Sequence, residues 1–119
     1  MEDYVKQKLK NLIMSGSCVE LIKETMESYP GSLDEQVDEK GSTWLILAVK
    51  SGLARVVELM ILRKADLNKA DFDGNTPLHH AFLNNFKSCI EQLMLAGADE
   101  CAENHKGQRP WELIAVRDF

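Results

Sequence analysis

The fold is decided by two consecutive stretches of the chain: residues 38–70, DEKGSTWLILAVKSGLARVVELMILRKADLNKA, and residues 71–103, DFDGNTPLHHAFLNNFKSCIEQLMLAGADECAE. The two stretches align without a gap over 33 residues. Matching pairs are Gly41/Gly74, Thr43/Thr76, Leu45/Leu78, Ala48/Ala81, Leu62/Leu95, Ala65/Ala98 and Asp66/Asp99. A fixed period of this length indicates a repeat array, in which each unit buries its apolar face by stacking on its neighbours. We therefore predict that function resides on the surface of a stack.

Each stretch predicts two helices. Thr43 and Thr76 stand where they can cap a short inner helix, and Pro77 follows at a first helical position, where its missing N–H costs nothing. Ser51-Gly52 then turns the chain, and apolar residues at helical spacing predict an outer helix. Gly97 fits the left-handed residue that closes a helix, so Lys64 and Asn85, at places suited to glycine, are predicted to adopt that conformation too. The fold class is all-α.

The second stretch resembles an ankyrin repeat, whose pattern runs D-x-x-G-x-T-P-L-H-x-A and ends, after an outer helix, in G-A-D. The first stretch keeps this frame but carries Trp44 for the proline, Ile46 for the histidine and Lys64 for the glycine. The resemblance implies an ankyrin-repeat solenoid of helix-turn-helix units joined by hairpin-like loops.

The flanking segments complete one predicted domain, residues 1–119. Residues 1–37 carry two helical patterns without the repeat motif, which predicts an N-terminal helical cap. Residues 104–119 resemble a repeat cut short after its inner helix, a truncated C-terminal cap. In that segment Leu113, Ile114, Val116 and Phe119 belong to a predicted helix with no following helix to cover it. It either folds over the stack or leaves an apolar patch for another chain.

Composition excludes several classes of function. A net charge of −5 opposes binding to nucleic acid. The longest apolar run, Trp44–Val49, is too short to span a membrane, and the N-terminus lacks the pattern of a secretory signal. The three cysteines form no Cys-x-x-Cys pair, so we expect no metal site, no cofactor and no disulfide framework. These features predict a reduced intracellular location, cytoplasmic, with the nucleus left open.

Catalysis is not predicted. The adjacent His79 and His80 point about 100° apart on a helix, so they cannot share a metal-ligand face. The resemblance instead implies that His79 bonds to backbone and to Thr76, tying neighbouring repeats together, whereas His80 occupies a variable position open to a partner. Asp66 and Asp99 recur at turns, too far apart for one reaction centre. No phosphate loop or nucleophile motif is present.

The resemblance implies binding of a protein partner through the finger loops between repeats and the groove-facing side of the inner helices. The finger residues at matching positions are Glu39, Lys40, Ser42, Phe72, Asp73, Asn75, His105, Lys106 and Gln108. The inner helices add Leu47, Lys50, Ser51, His80, Leu83 and Asn84. Phe72, an aromatic residue at a loop tip, is either a binding anchor or folded back over its own turn.

Further expectations concern the partner and the assembly. An excess of acidic residues in the loops favours a basic partner, with a merely solvated acidic edge as the equal alternative. The function predicted is that of a non-catalytic interaction module or scaffold, monomeric or weakly dimeric. The alternatives are an assembly element that dimerises through its C-terminal helix and, ranked lowest, a fragment of a larger enzyme or signalling protein. Resemblance alone also marks Asn68 as a position that an oxygen-dependent asparaginyl hydroxylase can modify.

Overall fold

The structure, a computed structural model, describes the backbone of residues 2–113 and the side chains of residues 4–113. Six α-helices follow one another along this part of the chain: α1 (Glu2–Ser15), α2 (Val19–Ser28), α3 (Trp44–Lys50), α4 (Ala54–Leu62), α5 (Pro77–Leu83) and α6 (Lys87–Leu95). A short 3-10 helix, Pro110–Leu113, comes last. The predicted helical segments of the N-terminal cap and of both repeats are therefore present.

The helices form two parallel rows. The inner row contains α1, α3, α5 and the 3-10 helix, each packed on the next, and the outer row contains α2, α4 and α6. Each inner helix also packs on the outer helix that follows it. The described residues extend 44 Å along the stack and about half that distance across it. The prediction of an all-α repeat solenoid is confirmed.

The helix ends follow from the residues predicted to form them. The hydroxyl oxygen of Thr43 accepts the N–H of Ile46 at 3.3 Å, and Thr76 caps α5 in the same manner with Pro77 directly behind it. Lys64 and Asn85 have φ angles of 66° and 55°, the left-handed conformation that their positions predict. These residues end their turns at some conformational cost, because a Cβ atom is disfavoured there.

The core lies between the two rows and is centred on Trp44. This side chain has no exposed surface, and its ring meets the ring of Tyr29 edge-on, with centroids 5.3 Å apart. Trp44 therefore joins the N-terminal helical pair to the first repeat at the position where the second repeat has Pro77. Its indole N–H has no hydrogen-bond partner among the described residues.

The C-terminal segment is described only in part. Pro110 remains buried at the start of the 3-10 helix, and the Glu112 carboxylate accepts the backbone N–H of Arg109 at 2.8 Å. The Glu112 side chain thus accepts the backbone N–H of the residue three positions earlier, as the His79 side chain does in the second repeat. Ile114, Val116 and Phe119, on which the two readings of a C-terminal cap or an open apolar patch depend, lie outside the described residues.

Candidate functional site: the finger loops and the inner groove

Three finger loops, residues 38–43, 71–76 and 104–109, project from the starts of the inner helices. Each finger opens with a short polar residue, Asp38, Asp71 or Asn104, whose side-chain oxygen accepts the backbone N–H groups two and four residues later at 2.8–3.0 Å. Burial alone would raise the pKa of Asp38, but the donated hydrogen bonds from Ser42 and Lys40 and the charge of Lys50 bring it below 3.8. Asp38 and Asp71 therefore shape the loops and do not present free charges at the loop tips.

Successive fingers are bonded to each other. The N–H of Phe72 donates to the carbonyl of Lys40 at 2.9 Å, and the N–H of His105 donates to the carbonyl of Asp73 at 3.0 Å. The Phe72 ring lies on Gly41, where an added Cβ atom would approach it to 2.6 Å. Phe72 therefore covers the preceding finger and not its own turn. The ring still has 58% of its surface exposed, so one face is open to a partner.

His79 ties the second repeat to the third finger, as the resemblance implies. Its Nδ1 accepts the backbone N–H of Thr76 at 3.1 Å and lies 2.9 Å from the Thr76 hydroxyl. Since Nδ1 is an acceptor, Nε2 carries the proton and donates to the carbonyl of Gln108 at 2.8 Å. Both ring nitrogens of this fully buried residue are used, which leaves none for metal binding or proton transfer.

His80 corrects the prediction that it is open to a partner. Only 8% of the residue is exposed, and Nε2 lies 2.9 Å from the Asp71 carboxylate. The second finger covers His80 because Asp71 contacts both. One carboxylate oxygen of Asp71 accepts backbone N–H groups of the finger, and the other lies against the imidazole. Burial lowers the pKa of His80 below 6.5, an effect that the Asp71 carboxylate opposes and the charge of Lys50 assists. The histidine is thus neutral at physiological pH.

This shift predicts a pH dependence of stability. Below pH 6.5 the unfolded chain protonates His80 while the folded chain resists it, so the free energy of unfolding should be highest above pH 6.5 and fall as the pH drops towards the folded-state pKa. His80→Gln, which can still donate to Asp71, should flatten the part of this decline that lies below pH 6.5 in urea titrations. The exposed His105→Gln is the matched control and should keep it. Identical pH profiles for His80→Gln and the native chain would contradict the assignment.

Two further predicted contact residues are also buried. Ser42 has no exposed surface, and Leu47 has 5%, because the first finger folds over the start of α3. Leu47 nevertheless forms the floor of a cleft, whereas the side chain of Ser42 is removed from the candidate surface. The exposed candidates are Glu39, Lys40, Ser51, Phe72, Asp73, Leu83, His105 and Lys106, and the half-buried ones are Lys50, Asn75, Asn84 and Gln108.

Most of the candidate residues line one of two open clefts, whereas Phe72 lines neither. The first, of about 280 Å³, lies between the first finger and α3, with Leu47 at its floor and Lys50 and Glu39 among its walls. The second, of about 400 Å³, lies between the second and third fingers and includes Leu83 and Asn75. The side-chain oxygen of Asn75 accepts from the Asn104 amide at 2.8 Å, so it links these two fingers.

Two residues of the first cleft, Met14 and Asp38, are absent from the predicted contact residues. Met14, at the end of α1, lines this cleft and has 64% of its surface exposed. The sequence of the N-terminal helices predicts only that they cover one end of the stack, so it does not indicate contact residues there. The sequence does contain a signal that Met14 is exposed. Met14 lies outside the apolar stripe formed by Leu9 and Ile13, both of which are buried.

Asn68 has a structural contact. Its side-chain oxygen accepts the N–H of Asp99 at 2.8 Å, and the Asp34 carboxylate accepts the N–H of Asp66 at 2.7 Å one repeat earlier. These bonds link successive turns along the edge of the stack. Asn68 is exposed, and its hydroxylation stays a prediction.

Comparison with known proteins agrees with this geometry. Residues 9–104 match a family profile described as ankyrin repeats, in three copies. The chain belongs to the ankyrin-repeat family. The match begins inside α1, so it includes the N-terminal helical pair that stacks in the same two rows as the later repeats. Ankyrin repeats are generally protein-interaction modules and are typically non-catalytic.

Individual ankyrin-repeat relatives have varied names. The chain is 29% identical to the inactive serine/threonine-protein kinase TEX14 of Mus musculus over 98% of its own length, but it spans only 8% of that protein. It is 35% identical to the mouse B-cell lymphoma 3 protein homolog, with 78% of the chain and 21% of the relative aligned. Mouse protein phosphatase 1 regulatory subunit 27 is 36% identical, over 70% of the chain and 53% of the relative.

Two remaining features concern the reactivity of a buried cysteine and the length of the helices. Burial raises the pKa of the Cys89 thiol, which packs in the core with 1% of the residue exposed. This environment disfavours the reactive thiolate. Across residues 2–113, every helix falls short of the length and apolar character needed to cross a bilayer.

Proposed function

We propose that this ankyrin-repeat chain binds a protein partner, without catalysis, through its fingers and the two clefts beside them. The observation that carries the proposal is the Phe72 ring, which is held in place on Gly41 and yet is 58% exposed. A side chain that is already fixed loses little conformational entropy on binding, and aromatic residues supply much of the energy at protein interfaces.

The clefts support this proposal because they place apolar floors between polar walls. Leu47 underlies the first cleft, and Leu83, which is 39% exposed, lies beside the second. An extended segment or a loop that crosses the fingers could place side chains in both clefts while it covers Phe72. This arrangement of an apolar centre and a polar rim is the usual anatomy of a protein interface.

The charges that line the two clefts are balanced and do not by themselves support a basic partner. Asp38 and Asp71 bond to their own fingers, and Asp71 is buried. Of the charged residues lining the two clefts, Glu39 and Asp73 are offset by lysines, which are Lys40, Lys50 and Lys106. We therefore propose a partner that is recognised by shape and by apolar contact at the fingers.

Replacement of Phe72 tests the proposal. Phe72→Ala should weaken partner binding by about 2 kcal/mol, or roughly thirtyfold, because it removes the fixed aromatic anchor. Partners captured by the native chain should be quantified by mass spectrometry and their affinities measured by calorimetry on the purified pairs. Phe86→Ala is the matched control: this half-buried aromatic residue packs on Gly52, outside both clefts. A Phe72→Ala chain that remains folded and binds with native affinity would exclude the finger surface.

A further inference from the structure

The outer row carries an apolar surface that the finger and groove site does not use. Leu62 and Leu95 end α4 and α6 and are 70% and 89% exposed. They occupy the same position in successive repeats, on helices that pack side by side. Together with Ile61 and Ala96 they line a shallow depression of about 280 Å³. We call these four residues the outer ledge.

The two leucines of the outer ledge contribute little to folding. A leucine stabilises a protein by removing its surface from water, and these two leucines remain largely in water. Single exposed leucines are common on protein surfaces, but two that recur at one repeat position and share a depression form a continuous patch. Patches of this kind are favourable sites for another apolar surface.

The charges beside the outer ledge indicate the charge of a surface that would dock on it. Glu58 and Glu91 lie one helical turn before Leu62 and Leu95, on the same helix faces, and both are exposed. Neither carboxylate has a cationic partner within 4.0 Å among residues 4–113. Arg63 is already paired with Glu27 of α2 at 3.5 Å. Lys64 stands in the turn that closes α4. Glu58, which lines the depression, and Glu91 thus carry carboxylates without an ion pair beside the leucines, and the cations of the same helices, Arg55 and Lys87, lie one further turn away from the leucines.

We propose that the outer ledge is a second docking surface and that it binds an amphipathic helix of a partner protein with a basic flank. Packed helices lie roughly 10 Å apart, so the two leucines are separated by about the rise of seven residues along a helix. A helix laid across α4 and α6 can therefore place apolar residues at i, i+3 or i+4, and i+7 on the ledge. Its Lys or Arg residues then face Glu58 and Glu91.

Selection from a displayed library of random peptides tests this inference without a known partner. The targets are the native chain, Leu62→Ser/Leu95→Ser, and Phe72→Ala as the matched control. Both serine substitutions are at exposed positions, so circular dichroism should show an unchanged melting temperature. The strongest peptide from the native selection is then measured by fluorescence anisotropy at low and high salt.

The expected result is enrichment of peptides with apolar residues at helical spacing and an excess of Lys and Arg. They should bind the double serine variant at least tenfold more weakly, bind Phe72→Ala as tightly as the native chain, and weaken as salt increases. Loss of binding only in Phe72→Ala, or enrichment of acidic peptides, would overturn the proposal. A dimer in light scattering that the serine substitutions abolish would also overturn it, since a second copy would then occupy the ledge.

Discussion

Trp44→Ala should destabilise the chain by about 3–5 kcal/mol, the largest effect we expect from any single substitution. Trp44 has no exposed surface and meets Tyr29 of the N-terminal segment edge-on. Removing the indole ring leaves a cavity where the N-terminal helical pair meets the first repeat. In a repeat array, whose units are held only by their neighbours, we expect this pair to separate first. Urea unfolding followed by circular dichroism measures the loss.

Two variants make the Trp44 experiment specific. Trp44→Phe keeps an aromatic ring and removes the indole N–H, which has no partner among the described residues, so about half of the loss or less is expected. Trp111→Ala replaces the other tryptophan, which is 51% exposed, and should change stability by less than about 1 kcal/mol. If Trp44→Ala lowers the free energy of unfolding by no more than Trp111→Ala does, Trp44 is not central to the core.

His79→Ala should cost about 3 kcal/mol. The substitution removes the acceptor for the backbone N–H of Thr76 and the donor for the carbonyl of Gln108, which lie in two successive fingers. It therefore leaves two main-chain groups unpaired and a space between the second repeat and the third finger. Hydrogen exchange should show increased opening of the third finger before the rest of the chain unfolds.

The control for His79 is another histidine of the same region. His105 is exposed and touches Gly74, and its side chain makes no hydrogen bond among the described residues, so His105→Ala should cost less than about 1 kcal/mol. Equal losses for the two substitutions would show that the bonds of His79 do not tie the second repeat to the third finger.

The sequence predicted features that depend on local geometry. Thr43 and Thr76 cap helices because a hydroxyl at that position reaches an unpaired N–H, whatever surrounds it. Lys64 and Asn85 adopt left-handed backbone because the chain must turn there in every repeat. The period then places these units side by side, and the two rows of helices follow.

The sequence did not predict which candidate side chains are covered. Helical spacing gives the face on which His80 and Leu47 lie, but not that the preceding finger bends over that face. Asp71 brings about this bend for His80 by bonding both the finger backbone and the imidazole. Similarly, nothing local to Phe72 indicates that its ring rests on Gly41, 31 residues earlier in the chain. Contacts between neighbouring repeats determine the accessible surface.

The side-chain bonds along the edge of the stack make the architecture extensible. Asn68 in one unit accepts the N–H of Asp99 in the next, and His79 donates to a main-chain carbonyl, which every amino acid provides. A duplicate of residues 71–103 inserted after Glu103 would meet equivalent donors and acceptors at both of its new junctions. Only Cys101, which occupies the place of Asn68, would need to become asparagine for that edge bond to continue. Gene duplication could thus lengthen such a protein by whole units, with one substitution restoring the edge bond at the new junction.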